Sequence, residues 1–264
     1  MFKTRIRLYQ IDAFTDKTFK GNPAAVCILD EWLADGVMQK IAAENNLSET
    51  AFVVKQNDFY EIRWFTPTIE VALCGHATLA SAHVLFLYYH HPGSRLHFYS
   101  HLSGDLYVSK KDDLLTLNFP KDNLSPVDLP DLLLEAFANK PVEVYRGKTD
   151  FLLVYASQKE VLNCQPDMEV LKKAKARGVI VTAPGKKADF VSRFFAPASG
   201  VDEDPVTGSA HTTLTPYWNQ RLKKKRMKAR QLSARGGRLI CEMQDDRVLI
   251  SGKAVTYLKG EIEF

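Results

Sequence analysis

The chain has 264 residues, of which 45% are hydrophobic and 25% charged, a composition typical of a globular protein. The net charge is only +4 and its signs are interleaved, which argues against a nucleic-acid-binding face. No run of about 18 apolar residues is present, and no apolar stretch follows the basic N-terminus, so neither a membrane span nor a secretory signal is expected. The four cysteines fit no zinc spacing, and a reducing cytoplasm is the expected compartment.

The first half of the sequence alternates strand and helix patterns. Residues 32–45 have helical periodicity, with apolar residues on one face. Residues 75–89 are almost continuously apolar, which predicts a helix buried on all sides at the centre of a lobe. Strands are expected at residues 8–14, 24–29, 52–54, 60–65, 96–99, 105–109 and 114–119.

A second series of elements follows residues 120–130, which are rich in Asp, Asn, Ser and Pro and predict a linker. Helices are expected at residues 131–138, 168–176 and 209–222, and strands at 142–146, 151–155, 179–182, 190–196, 230–234, 238–243, 247–251 and 255–262. This order predicts an α+β protein of two lobes, each a curved, mostly antiparallel, barrel-like sheet around one central helix. The predicted lobes are residues 1–121, which a C-terminal strand at about 253–264 is a candidate to join, and residues 122–252.

The sequence also contains an internal repeat. RWFTP at residues 63–67 is followed by CGHAT at 74–78, and RFFAP at 193–197 is followed by TGSAH at 207–211. The first motifs of the two copies lie 130 residues apart, about half of the chain. The repeat therefore predicts two similar lobes with a cleft between them. Each copy ends at the start of a predicted helix, where unpaired backbone N–H groups can bind an anion.

Three segments carry groups suited to proton transfer on a small anion: NLSETAF at residues 46–52, LCGHAT at 73–78 and EDPVTGSAH at 203–211. A glutamate can remove and return a proton if burial raises its pKa toward the working pH. Helix N-termini can hold a carboxylate and stabilise an enolate. From spacing alone, Glu49 also fits a helix capping box, Asp204 an Asp-Pro turn and Ser209 a helix N-cap, and these structural interpretations stay open.

Five motifs, in order, resemble those of the phenazine-biosynthesis PhzF family: QIDAF at 10–14, GNPAAV at 21–26, NLSETAF, CGHAT and EDPVTGSA. The resemblance runs from about residue 8 to the C-terminus and implies the diaminopimelate epimerase-like fold, with two pseudo-symmetric α+β lobes. The namesake isomerises trans-2,3-dihydro-3-hydroxyanthranilate by moving a proton along the ring. The resemblance therefore implies an isomerase of a small carboxylate that uses neither cofactor nor metal and forms a homodimer.

The resemblance also assigns roles to residues of this chain. Glu49 corresponds to the acid/base that removes and redelivers the proton. His76 and Asp204 correspond to groups that orient and polarise the substrate. Ser209 matches a hydroxyl that contacts substrate. Gly75 and Gly208 allow the backbone to approach the ligand closely.

Cys74 raises an alternative mechanism. Diaminopimelate epimerases use two cysteines, one at each helix opening, as paired acid and base. Here Thr207 occupies the place that matches Cys74, and a neutral hydroxyl cannot replace a thiolate as a base. The two-thiol mechanism is therefore disfavoured, and Cys74 is interpreted as a buried small residue. Two alternatives remain open: an amino-acid racemase or epimerase that uses Cys74 with another partner, and a non-catalytic relative that binds a ligand or protein.

Overall fold

A computed structural model describes residues 4–174 and 176–264. The chain divides into two compact units: the described residues of Met1–Asn118 together with Ser251–Phe264, and Phe119–Ile250. The helices are α1 (Asp35–Asn45), α2 (Gly75–Tyr88), α3 (Asp131–Ala136), α4 (Gln158–Leu162), α5 (Met168–Leu171) and α6 (Ala210–Leu222). The strands are β1 (Arg5–Ala13), β2 (Asn22–Leu29), β3 (Glu49–Lys55), β4 (Tyr60–Phe65), β5 (Glu70–Val71), β6 (Arg95–Ser100), β7 (Gly104–Lys111), β8 (Leu114–Pro120), β9 (Ser125–Pro126), β10 (Glu143–Arg146), β11 (Asp150–Val154), β12 (Gly178–Pro184), β13 (Phe190–Ala196), β14 (Val201–Glu203), β15 (Arg226–Gln231), β16 (Gly237–Gln244), β17 (Arg247–Gly252) and β18 (Ala254–Glu263).

The first unit is a mixed sheet. Strand β1 pairs antiparallel with β2 and with the C-terminal strand β18. Strand β2 is parallel to β3, which is antiparallel to β4. Strand β4 forms a hairpin with β5 and runs parallel to β6, and β6, β7 and β8 follow as antiparallel neighbours. Most of β2 is buried because α1 and α2 pack against it, which explains its continuous apolar run.

The second unit repeats this order of pairings. Strand β10 is antiparallel to β9 and β11, β11 is parallel to β12, and β12 is antiparallel to β13. Strand β13 forms a hairpin with β14 and runs parallel to β15, which is antiparallel to β16. Strands β10 to β16 therefore correspond one by one to β1 to β7. The predicted α+β architecture with two pseudo-symmetric sheets is confirmed.

Equivalent helices follow the two equivalent hairpins. Helix α2 packs against β1, β2 and β3 and buries most of its length, as its continuous apolar sequence predicted. Helix α6 packs against β15 and β16. Among the described residues, no helix combines the length and the apolar character needed to cross a membrane.

Three local predictions were wrong. The helix expected at 168–176 ends at Leu171; the Lys172 N–H still bonds to Met168, but those of Lys173 and Ala174 bond in the tighter i to i−3 pattern (residue 175 lies outside the described residues). The strand expected at 230–234 is β15, which begins earlier, at Arg226, and ends at Gln231. Helix α4 was not anticipated, although its N-cap residue is a serine: Ser157 Oγ accepts from the Glu160 N–H and donates to the Glu160 carboxylate.

Candidate active site

Glu49 is positioned by the end of one helix and the start of a strand. Asn46 terminates α1 in the left-handed conformation, with φ 48° and ψ 37°. Three residues later Glu49 begins β3, in register with Ala24 of the parallel strand β2. Asn46 therefore ends a helix instead of beginning one, and the capping-box interpretation of Glu49 was wrong.

His76 lies between Glu49 and Cys74. It is the second residue of α2, and its side chain is only 5% exposed. The Nε2 atom lies 3.2 Å from Oε2 of Glu49, and Nδ1 lies 3.5 Å from Sγ of Cys74. Nε2 is thus at ion-pair distance from the carboxylate, and Nδ1 can accept a hydrogen bond from the thiol. The first unit therefore joins a carboxylate, an imidazole and a thiol in one series of contacts.

The same three side chains form a possible metal-ligand set. Their ligand atoms all lie within 4.8 Å of one another, and carboxylate, imidazole and thiolate are ligands that zinc accepts. However, His76 directs Nε2 to Glu49 and Nδ1 to Cys74, so its two partners lie against different ring nitrogens. An ion binds only one ring nitrogen at about 2.0–2.1 Å. The observed orientation suits proton transfer better than coordination of one ion by all three residues.

The first turn of α2 begins with two small residues. The N-cap residue is Cys74, whose side chain makes no capping hydrogen bond, and Gly75 is the first helical residue. Thr78 reinforces the first turn, since its Oγ1 donates to the Cys74 carbonyl at 2.6 Å. The first-turn N–H groups of a helix point out of its end, where an anion can accept from them.

In the second unit, Asp204 and Thr207 form a rigid polar turn before α6. Thr207 Oγ1 donates to Oδ2 of Asp204 at 2.5 Å. Gln231 of β15 completes the turn: its Nε2 donates to the Asp204 carbonyl, and its Oε1 accepts from the Thr207 N–H at 2.9 Å. Thr207 is thus a hydrogen-bond donor to a carboxylate, a role that a general base does not have. Gln231 was not recognised in the sequence, where no motif marks it.

Ser209 is the N-cap residue of α6, but its side chain does not cap the helix. Gly208 and Ser209 form the turn that precedes the helix, and Ser209 makes no side-chain capping bond. Its Oγ instead accepts a hydrogen bond of 3.0 Å from Nη1 of Arg177. The N-cap interpretation of this side chain was therefore wrong. Arg177 is a second polar neighbour that the sequence did not reveal, because it is an isolated residue between a short helix and a strand.

His211, in the first turn of α6, is buried behind this turn. Its Nδ1–H donates to the Thr207 carbonyl at 2.8 Å. Burial lowers the pKa of His211 to about 4, although the bond to the carbonyl opposes this shift. His211 is thus neutral near pH 7 and supports the turn structurally.

The predicted site residues fall into two groups. In the first unit, Glu49, Gly75 and His76 lie together with Cys74. In the second unit, Asp204, Gly208 and Ser209 lie along one short segment that includes Thr207. Each group surrounds the start of the helix that the repeat predicted.

Comparisons with known proteins identify the family and the fold. The family model "Phenazine biosynthesis-like protein" matches residues 11–260. An uncharacterized isomerase of Pseudomonas aeruginosa is 54% identical and covers 98% of both chains. A solved structure of a PhzF family protein from Enterococcus faecalis has a TM-score of 0.95 at 47% identity and covers 98% of this chain and 99% of its own. A hydroxyproline epimerase from Agrobacterium vitis, solved with trans-4-OH-L-proline, has a TM-score of 0.64 at 10% identity, over 100% of this chain and 92% of its own, which is a similarity of fold alone.

Proposed function

The chain belongs to the phenazine biosynthesis-like (PhzF) family, and we propose that it is a cofactor-independent isomerase that moves a proton within a small carboxylate metabolite. Relatives named as isomerases support this activity. The observation that carries the proposal is the contact between Glu49 and His76, with Nε2 3.2 Å from Oε2. It gives the first unit one carboxyl group that can both remove and return a proton, next to a group that can stabilise either of its charge states.

The proposed reaction needs an acidic C–H beside an unsaturated system. Glu49, as the carboxylate, takes the proton and becomes neutral, while the electron pair of the C–H bond moves into the unsaturated system. The same carboxyl group then delivers the proton to another carbon of the same molecule. Because the proton and electron pair both stay with the substrate, no redox cofactor is required. A general acid/base of this kind typically contributes about 10²–10⁴-fold to the rate.

The remaining roles concern binding. His76 and Asp204 orient and polarise the substrate, and Ser209 with the N–H groups that open α6 holds its anionic group. Gly75 and Gly208 stand beside these groups, where the absence of a side chain allows close approach of a ligand.

Cys74 supports one alternative, a racemase or epimerase in which the thiol is the base. The favouring observation is its 3.5 Å hydrogen bond to Nδ1 of His76, which could accept the thiol proton. Both mechanisms use His76, but the base lies near Nε2 if it is Glu49 and near Nδ1 if it is Cys74. Substitution of Cys74 and of Glu49 therefore separates them.

Solvent-deuterium exchange tests the proposal. A panel of small carboxylates that includes trans-2,3-dihydro-3-hydroxyanthranilate, proline and 4-hydroxyproline is incubated in D₂O with the enzyme, and C–H exchange is followed by proton NMR. We expect Glu49→Gln to lower exchange of the active compound by about 10²-fold or more. Glu44→Gln, at an exposed position of α1 five residues away, is the matched control and keeps wild-type exchange. Full exchange by Glu49→Gln would exclude Glu49 as the acid/base.

A further inference from the structure

Arg177 is held in a fixed orientation by a buried carboxylate. Its Nε donates to Oδ1 of Asp150 at 2.9 Å, and its Nη2 donates to Oδ2 of the same residue. Asp150 is 2% exposed, whereas the Arg177 side chain is 38% exposed. A bidentate pair of this kind fixes the plane of the guanidinium, and the remaining edge of Arg177 faces away from Asp150.

An aromatic ring and a glycine complete the support for Arg177. The guanidinium carbon lies 5.3 Å from the centre of the Phe194 ring. Phe194 occupies the space where a side chain at Gly178 would lie, since a Cβ there would be 2.4 Å from Cζ of Phe194. The residue after Arg177 must therefore be glycine for Phe194 to remain under the guanidinium.

The internal repeat shows that this cation lies next to the position that matches the proposed acid/base. Thr50 of β3 is in register with Phe65, and Val179 of β12 is in register with Phe195, the matching residue of the second copy. Position 178 is therefore equivalent to position 49. The second unit has a glycine where the first has Glu49, and the preceding residue is an arginine.

The partner strand shows the complementary change. Glu49 is in register with Ala24 of β2, and Gly178 is in register with Asp150 of β11. In the first unit the carboxylate lies on β3, whereas in the second it lies on β11, the counterpart of β2, where it pairs with Arg177. Ala24 of the first unit is matched in the second unit by Asp150, a buried carboxylate that holds the Arg177 guanidinium in place.

The hydrogen bond from Arg177 decides which way the Ser209 hydroxyl can act. Nη1 can only donate, so Ser209 Oγ is the acceptor at 3.0 Å, and the hydroxyl hydrogen must point to another acceptor. Three of the five N–H groups of Arg177 are directed to Asp150 and Ser209, and each Nη retains one more. Burial by itself would lower the pKa of Arg177. The hydrogen bonds and charge of Asp150, together with the charges of Asp204 and Asp122, outweigh burial and raise this pKa, so the guanidinium stays charged.

We propose that Arg177 is a positioning residue that fixes Ser209 as a hydrogen-bond donor and forms with it a subsite for a planar carboxylate at the opening of α6. This inference rests on the proposed function, in which that opening holds the anionic group of the substrate. The hydroxyl of Ser209 and the outer edge of the guanidinium then donate to the two carboxylate oxygens. A neutral carboxamide lacks the negative charge and presents an N–H₂ group to one of these donors, so the subsite selects acids over amides.

Binding of benzoate and of its neutral isostere benzamide, measured by NMR titration, tests this subsite. We expect the wild-type protein to bind benzoate at least 10-fold more tightly than benzamide, and Arg177→Gln to lose most of that preference. Arg177→Lys, which keeps the charge but not the planar fork, restores it only in part. Ser209→Ala weakens benzoate binding, and the double variant with Arg177→Gln is little worse than either single variant, because both changes remove one coupled unit. Arg238→Gln, at an exposed position of β16, is the control with unchanged binding.

Arg177→Gln also removes the cation that pairs with buried Asp150, so a second variant guards against misfolding. Asp150→Asn with Arg177→Gln replaces the ion pair by two amides, and its fold is checked by circular dichroism. Loss of the benzoate preference in a folded double variant supports the proposal. Equal benzoate binding by wild type and Arg177→Gln, or no benzoate binding by the wild type at 20 mM benzoate (about the weakest affinity a two-donor site would give), overturns it. Glu49→Gln is expected to keep benzoate binding while it loses deuterium exchange, so failure of this subsite and failure of the proposed isomerase are observed separately.

Discussion

Arg193 and Glu203 form a bidentate ion pair across the β13–β14 hairpin, with Nε–Oε1 and Nη2–Oε2 distances of 2.7 and 3.0 Å. Arg63 and Glu70 form the same pair across β4–β5, at 2.8 and 2.6 Å. Each guanidinium also lies over the phenylalanine two residues along its own strand. The repeated Arg-x-Phe motif therefore secures the hairpin that precedes each central helix, which is a structural role and not a catalytic one.

Glu203→Gln should destabilise the protein by about 1–3 kcal/mol, because it leaves the mostly buried Arg193 without its anion. The free energy of unfolding in urea measures the loss. Glu169→Gln is the matched control: it breaks the exposed pair with Lys172, which solvent screens, so a much smaller loss is expected. Equal effects of the two substitutions would show that the hairpin does not depend on its ion pair.

Gly178→Ala should cost about 1–3 kcal/mol, because the new Cβ would overlap the Phe194 ring in a packed strand pair. The matched control is Gly36→Ala in the first turn of α1, where no atom lies within 4 Å of the position that the new methyl group would take and φ is not positive. That change should be neutral or stabilise by up to about 1 kcal/mol, since alanine favours a helix. Thermal unfolding of both variants gives the comparison, and an unaffected Gly178→Ala protein would contradict the packing described for Arg177.

Stability should fall as pH decreases from about 6.5 to about 4, in part because of His211. Its pKa is about 4 in the folded protein and 6.5 in the unfolded reference, so in this window the unfolded chain binds a proton that the folded chain excludes. The stabilisation is complete above pH 6.5 and is lost by up to roughly 1.4 kcal/mol per pH unit as pH falls through the folded value. His211→Gln should flatten this dependence, whereas His90→Asn, at an exposed position, should not. Urea titrations at several pH values measure it; identical slopes for wild type and His211→Gln would refute the assignment.

Most of the fold could be predicted from the sequence because the patterns that specify it are local. The continuous apolar run of α2 predicted a buried helix, and the two copies of the repeat predicted two sheets with the same order of strands. The predicted end of α6 at residue 222 was correct, and Lys223 ends it in the left-handed conformation, whereas the helix expected to run to residue 176 ends at Leu171 because the hydrogen-bond pattern tightens there.

The contacts of the candidate site were harder to predict from the sequence, because they depend on how elements that are distant in the chain lie beside one another. The sequence pointed to Glu49 and His76 individually, but their contact follows from how β3 begins beside the start of α2. Arg177 has no motif of its own. It could have been found only by extending the repeat from Phe65 and Phe195 back through the neighbouring strand, which requires the strand pairings.

Cys74→Ser distinguishes the two mechanisms that share His76. If Glu49 is the base, the thiol lies on the Nδ1 side of the imidazole, away from the proton that is transferred, and the substitution should lower exchange less than about 10-fold, far below the 10²–10⁴-fold typical of a general base. If Cys74 is the base, a serine hydroxyl cannot replace its thiolate near neutral pH, and exchange should fall at least about 10³-fold, near the upper part of that range. Cys27→Ser is the matched control, a buried cysteine of β2 whose pKa burial raises to about 12, and it should keep full exchange per folded molecule. Deuterium exchange of the compound that the wild type turns over is measured for all three proteins, and a large loss confined to Cys74→Ser would move the base from Glu49 to the thiol.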